Sequence, residues 1–381
     1  MQDCNSCHPQ PVPQAENGWR QRLLAALAGM GIVLSLAASP VDAKPQPHKK
    51  AKKPVSSPQD AALDAQNAAL RAAFQKRYEG LGFGHPLFLA DCDTASETPK
   101  LLTDELLARF GKEIKSPKEA RELSAEMAKM AREGDGAFAG GWSFLKKGGG
   151  EIDLYYAADM PNWQTPESWL AETLKATGAK LRAGALPTRG EMAPILLWHE
   201  LFGHCTEEST AVLPEREEES EHRKNMCELR ADIAAIVGVA HDTGSVDAMR
   251  KFVHMRAIMV FYGDADQEYN YAPQLDAVME KIAETLGNPQ KKEAFMALSD
   301  KQLLALADES HKAVAISGKE VEEALWALDD AQQARAGKLG GEPSPAARKV
   351  LARVAEAEAA LLEMPALRPK NTYIPQPKPQ R

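Results

Sequence analysis

The sequence has few aromatic residues and no excess of basic residues. Aromatics make up 6% of its 381 residues, and the formal net charge at pH 7 is −8. This balance gives no indication of a nucleic-acid partner, because such proteins carry clustered basic side chains. Few aromatics beside plentiful Ala, Leu, Glu and Lys favour a mainly α-helical protein with at most a small β element. The length allows one large domain or two small ones.

The chain also lacks an apolar run of typical membrane-spanning length. The apolar run Leu23–Ala38 is short for a span, and Arg20 and Arg22 precede it. Val41-Asp42-Ala43 then offers the small residues that a signal peptidase reads. We predict that residues 1–43 are a signal peptide, with an uncleaved anchor as the alternative. The mature protein would then be periplasmic or extracellular, with no stable membrane span.

Cysteines are few, and none lies directly after the apolar run, which argues against a bacterial lipid anchor. Cys4-Asn5-Ser6-Cys7-His8 spells a c-type haem attachment motif, but it would be removed with the signal peptide. We interpret that motif as a coincidence. The mature chain keeps Cys92, Cys205 and Cys227.

An apolar run, Ile195–His204, carries three chemically active side chains: His199, Glu200 and His204. The two histidines are five residues apart. On a regular α-helix five residues turn about 500°, so the imidazoles would sit roughly 140° apart and could not share a metal. A one-residue π-bulge removes this offset, and Gly203 tolerates the distortion. We therefore predict that the helix is bulged between His199 and His204.

The hexapeptide His-Glu-Leu-Phe-Gly-His at 199–204 resembles the His-Glu-Leu-Leu-Gly-His signature of the dipeptidyl peptidase III family of zinc peptidases. Cys-Glu-Leu-Arg-Ala-Asp at 227–232 resembles the family's second motif, Glu-Glu-Cys-Arg-Ala-Glu. The segment Phe252–Ala257 is similar to its downstream His-Met segment. The resemblance covers about Ile195–Tyr262. Because the chain is too short for the family's two-lobed enzyme, the resemblance implies a catalytic core alone.

A catalytic zinc takes three protein ligands and leaves one position open. His199 and His204 supply two ligands for one Zn²⁺, and Glu228 is the natural third, since a loop and a return helix can bring it back. His222 and Asp232 are the alternatives to Glu228 at this position.

Further roles follow for the neighbouring residues. Asp232 lies one helical turn after Glu228 and is expected to hold the outer N–H of a ligating histidine. Glu200 would be the general base toward a metal-activated water. The resemblance implies that His254 stabilises the oxyanion. Cys205 and Cys227 flank the metal residues and form either a disulfide or two free buried thiols.

The domain organisation is predicted from composition around this motif. Residues 44–58 are rich in Lys, Pro and Ser and indicate a disordered basic linker, and 366–381 indicate a disordered Pro-rich tail. Between them we expect an N-terminal helical region with a short strand at Glu151–Ala157 (59–185), followed by a helical zinc-binding catalytic region (186–365). Residues 80–99 are expected to be a loop, and the glycine-rich segment 134–150 to be flexible.

These features predict a zinc-dependent peptide hydrolase that is similar to dipeptidyl peptidase III and cleaves peptides in an exopeptidase-like manner. One alternative is a non-catalytic zinc-binding helical protein of the envelope, and another is a zinc hydrolase of a different amide or ester. Glu200 favours an enzyme, because a purely structural zinc site has no need of a base.

Overall fold

The fold is mainly α-helical, as the composition predicts. We analysed a computed structural model, which describes residues 58–133, 137–159, 165–205, 217–262 and 272–363. The predicted signal peptide, the basic linker up to residue 57 and the Pro-rich tail lie outside the described residues. None of the helices within these ranges combines the length and apolar character needed to cross a membrane.

The first part of the chain combines helices with the three strands of one small sheet and one strand of a second. Its elements are α1 (Pro58–Leu81), β1 (Leu87–Ala90), α2 (Cys92–Glu97), α3 (Pro99–Phe110), α4 (Pro117–Glu133), β2 (Phe138–Leu145), β3 (Glu151–Ala158), α5 (Pro166–Trp169), α6 (Ala171–Thr177) and β4 (Lys180–Leu181).

The second part is almost entirely helical and contains the predicted metal motif. Its elements are α7 (Arg189–Leu197), a π-helix (Trp198–His204), α8 (Glu217–Thr243), α9 (Asp247–Tyr262), α10 (Ala272–Gly287), α11 (Pro289–Met296), α12 (Asp300–Val314), α13 (Gly318–Arg335), α14 (Pro345–Leu361) and β5 (Leu362–Glu363), which pairs with β4.

The sheet has the order β1-β3-β2, with β1 parallel and β2 antiparallel to β3. The predicted strand at 151–157 is confirmed as β3. The predictions of a loop at 80–99 and of flexibility at 134–150 were wrong where β1, α2 and β2 form. Gly140 in β2 serves close packing, because a Cβ there would lie 2.4 Å from Tyr156 Oη. Glycines that permit close packing were mistaken for glycines that loosen the chain.

Two hydrophobic clusters meet at this sheet, because successive side chains of a strand point to opposite faces. Leu87 and Leu89 of β1 belong to the larger cluster, which includes α7 to α14. Phe88 and Ala90 belong to the smaller cluster, which includes α2, α3 and α4. The predicted boundary at 185/186 therefore does not separate the two cores, since β1 contributes to both.

Candidate metal centre

The helix that carries the histidines changes from α to π at Trp198. It begins with a reciprocal cap, in which Glu191 N donates to Thr188 Oγ1 (3.2 Å) and Thr188 N donates to Glu191 Oε2 (2.6 Å). Near its end, Cys205 N donates to Glu200 O at 3.2 Å, the five-residue spacing of a π-helix. The predicted bulge between His199 and His204 is confirmed.

The π-helix lies very close to α8, and Gly203 makes this approach possible. A Cβ at Gly203 would lie 2.4 Å from Cβ of Ala231, which is closer than two carbon atoms can pack. The close contact brings the π-helix beside the turn of α8 that carries Glu228 and Asp232.

The substitution Gly203→Ala should therefore push the two helices apart. We expect the free energy of unfolding to fall by about 1–3 kcal/mol, the usual cost of overpacking, when measured by urea denaturation. Zinc affinity should fall with it. Gly287→Ala is the matched control, because a Cβ at that helical glycine meets nothing within 4 Å. Equal stability of the two variants would contradict this account of Gly203.

Three side chains converge at the predicted metal site. His199 Nε2 lies 3.2 Å from His204 Nε2 and 3.3 Å from Glu228 Oε2, and His204 Nε2 lies 3.4 Å from Glu228 Oε1. The potential ligand atoms all lie within 4.8 Å of one another. Neither His222 nor Asp232 joins them in this group. His222 Nε2 instead lies 2.7 Å from the carbonyl oxygen of Ile316.

The chemistry of these donors fits a metal ion. Glu228 Oε2 is a buried oxygen without a hydrogen-bond partner, because its 3.3 Å contact with His199 is not aligned as a hydrogen bond. His199 Nδ1 lies 2.9 Å from Asp232 Oδ1, so the neutral ring keeps its proton on Nδ1 and turns the Nε2 lone pair toward the other ligands. Converging lone pairs and a buried carboxylate are satisfied together by a cation.

Asp232 lies behind His199, as predicted, and its side chain is 1% exposed. Its carboxylate also forms a salt bridge with Arg256 of α9, which sequence reasoning missed. Arg256 Nη2 lies 4.0 Å from Glu228 Oε2 as well. The guanidinium therefore supplies a permanent positive charge to the two carboxylates that support the site.

Glu200 is buried beside the ligands without belonging to their group. Burial raises the pKa of its carboxyl, the positive charges of His199 and His204 oppose this rise, and Glu228 adds to it. The carboxyl is therefore within electrostatic reach of the metal ligands. The arrangement suits a proton acceptor better than a fourth ligand.

His254 is not brought to the ligands. It precedes Arg256 by two residues, which turn an α-helix by about 200°, so the two side chains leave α9 on opposite sides. Burial lowers the pKa of His254, and the charged groups that act on it are Glu356 and Arg353 of α14 and Arg250 of its own helix. Its position does not support the oxyanion role that the resemblance implied.

The disulfide between Cys205 and Cys227 is not formed. Cys205 is buried with its Sγ 4.0 Å from the carbonyl oxygen of Tyr156, so it faces the sheet. Burial raises the pKa of its thiol. The alternative of two separate thiols is therefore the correct one, although Cys227 is only half-buried.

No family model, no curated protein and no solved structure matches this chain. The resemblance to dipeptidyl peptidase III therefore rests on the motif residues quoted above and stays a prediction. The geometry of the site is an independent observation, and it identifies His199, His204 and Glu228 as a group that could hold a metal ion.

Metal binding should release a proton. Burial would lower the pKa of His199, but the hydrogen bond to Asp232 and the neighbouring Glu228 outweigh it and raise the pKa to about 10. The protonated imidazole thus stabilises the metal-free fold fully below its unfolded pKa of about 6.5, and this contribution is lost as the pH rises through about 10. A metal needs the unprotonated Nε2, so binding near pH 7 displaces about one proton.

Titration calorimetry in buffers of different ionisation enthalpy measures the number of protons that are released when zinc binds. Zinc affinity should also rise about tenfold per pH unit between about pH 7 and 9 as the proton becomes easier to remove. Binding at pH 7 without proton release would show that His199 is not protonated before the metal binds.

Proposed function

We propose that this protein is a zinc-dependent peptide hydrolase, similar in its catalytic core to dipeptidyl peptidase III. The observation that carries the proposal is the buried carboxylate of Glu200. It adjoins the ligand group of His199, His204 and Glu228 but is not a member of that group. Two imidazoles and a carboxylate form the ligand set of catalytic zinc sites with an open position. The same set suits iron in oxygenases, and Glu200 favours hydrolysis because hydrolysis requires a base.

A zinc ion held by His199, His204 and Glu228 would supply Lewis acidity, which lowers the pKa of water and polarises a carbonyl oxygen. Glu200 accepts the proton of the attacking water and then donates it to the leaving amine. Because burial raises the pKa of Glu200, its carboxylate is a stronger base than an exposed one. Asp232 and Arg256 keep His199 in the tautomer that this site needs.

A peptide substrate is supported by the strand beside the site. β2 contacts the π-helix, and it pairs with β3 on one side. Among the described residues, its other side is covered only at its end, where Lys115 N donates to Leu145 O at 2.7 Å. An extended peptide can add to such an edge through main-chain hydrogen bonds, which do not depend on its side chains.

Digestion of a peptide library by the mature protein tests this function. Mass spectrometry should find cleavage by zinc-loaded protein, loss of cleavage after chelation and recovery after zinc is added back. Release of successive dipeptides from the amino terminus would establish the exopeptidase-like activity. A protein that binds one zinc and cleaves no peptide would support the non-catalytic alternative. Cleavage of other amides or esters alone would support a zinc hydrolase with a different substrate class.

We infer that this hydrolase is exported, because Leu23–Ala38 follows two arginines and precedes Val41-Asp42-Ala43. Amino-terminal sequencing of the protein from the envelope fraction should begin at Lys44. A protein that still starts at Met1 would contradict cleavage.

A further inference from the structure

His204 is the last residue of the π-helix, which is a demanding place for a metal ligand. The final carbonyls of a helix have no partners within the helix, so a helix end frays unless other groups hold it. His204 can bind the metal only while its backbone keeps the π conformation, because a regular α-helix would turn its imidazole away from His199.

The peptide carbonyls on both sides of His204 are held by side chains from two other helices. On one side, Arg230 of α8 donates from Nη1 to Gly203 O at 2.7 Å and to Phe202 O at 3.2 Å. On the other, Tyr78 of α1 donates its hydroxyl to Cys205 O at 2.9 Å. Arg230 and Tyr78 are both buried, so water does not compete for these bonds.

The guanidinium of Arg230 is itself held in position. Its Nε and Nη2 donate to Asp308 Oδ1 of α12 at 2.9 and 2.8 Å, so the planar group is bound along two edges. Its positive charge also complements the partial negative charge of the helix end. Arg230 lies two residues after Glu228 on α8. Its side chain therefore links the backbone next to His204 to the helix that supplies Glu228.

We propose that Arg230 and Tyr78 are positioning residues that hold His204 in its metal-binding orientation from opposite sides. This inference rests on the metal centre of the proposed function. Each bond raises the fraction of molecules in which His204 faces His199 and Glu228. The apparent metal dissociation constant is the intrinsic constant divided by that fraction, so loss of a bond weakens binding without removing a ligand.

The variants Tyr78→Phe and Arg230→Lys test the inference with zinc alone, titrated against a competing chelator. Tyr78→Phe removes only the hydroxyl. Arg230→Lys keeps a charge beside Asp308 but replaces the fork with a single point donor. We expect each variant to weaken zinc binding by about tenfold, within the range of about 10–100-fold found for groups that orient metal ligands. The double variant should weaken it further.

Tyr262→Phe is the matched control. Its hydroxyl donates to Glu358, away from the π-helix, so this variant should lose stability in urea but keep the zinc affinity of the parent. Parental zinc affinity in Tyr78→Phe and Arg230→Lys would overturn the inference while leaving the metal centre intact, and so would an equal loss in Tyr262→Phe. A parent that binds no zinc would refute the proposed metal centre itself. If one test variant fails to fold, the other decides.

Discussion

Replacing Glu228 with alanine is expected to weaken zinc binding by more than ~100-fold, beyond the range found for groups that only orient ligands. Glu228 supplies the only carboxylate of the ligand group, and both of its oxygens lie within 3.4 Å of a ligand imidazole. The pKa of its carboxyl lies well below the ordinary value, because burial, which alone would raise it, is outweighed by the interactions with the imidazoles of His199 and His204. It is therefore ionised and ready to bind a cation at every physiological pH. Competition with a chelator measures the loss.

Two further variants rank the alternatives to Glu228. Asp232→Asn leaves all three ligands in place but weakens the acceptor of His199 Nδ1, so we expect a loss of about 10–100-fold. His222→Ala removes the histidine whose Nε2 lies against Ile316 O, and it should bind zinc as the parent does. A large loss in His222→Ala with none in Glu228→Ala would reverse the assignment of the third ligand.

Positive charges offset the acidic side chains at this site. Glu228, Asp232 and Glu200 are three acidic side chains in a largely buried space. The guanidinium of Arg256 offsets part of this charge, and His199, whose pKa is raised to about 10, offsets more when its ring is protonated. A bound cation takes over from the His199 proton, so metal and proton compete for one position.

Local spacing was enough to predict much of the site. The five-residue separation of His199 and His204 requires a bulge for a shared metal, and the one-turn separation of Glu228 and Asp232 puts both on one face of α8. Neither prediction depends on the rest of the chain. The helices were also predictable, since their periodicity and caps are encoded within each segment, as at Ser299 and Ser317.

Contacts across the fold could not be predicted in this way. Tyr78 reaches Cys205 over 127 residues of sequence, and only tertiary packing brings them together. Whether His254 or Arg256 faces the metal ligands depends on the rotation of α9 about its axis. This rotation is set by the packing of α9 against α8 and α14. β2 was missed because Gly140, which allows Tyr156 to pack closely, lies in a glycine-rich segment that has the composition of a flexible loop.

Glu200→Gln should separate metal binding from catalysis. Glutamine keeps the shape and volume of glutamate but cannot accept a proton from water. Because Glu200 is not in the ligand group, we expect the variant to fold and to bind zinc as the parent does. Peptide hydrolysis should fall by at least ~10²-fold, the lower end of the contribution of a positioned general base.

The pH dependence of the parent enzyme should report the same group. Hydrolysis requires ionised Glu200, and burial raises the pKa of this carboxyl above its ordinary value. Activity should therefore decline on the acid side at a higher pH than an exposed glutamate would produce, and Glu200→Gln should lose that limb from its residual activity.

Glu358→Gln is the control, because it changes another buried glutamate, which pairs with Arg335 away from the metal ligands, and should leave kcat unchanged. If Glu200→Gln hydrolyses every tested peptide as fast as the parent, Glu200 is not the base. The buried carboxylate beside the ligands would then no longer distinguish a hydrolase from a zinc-binding scaffold.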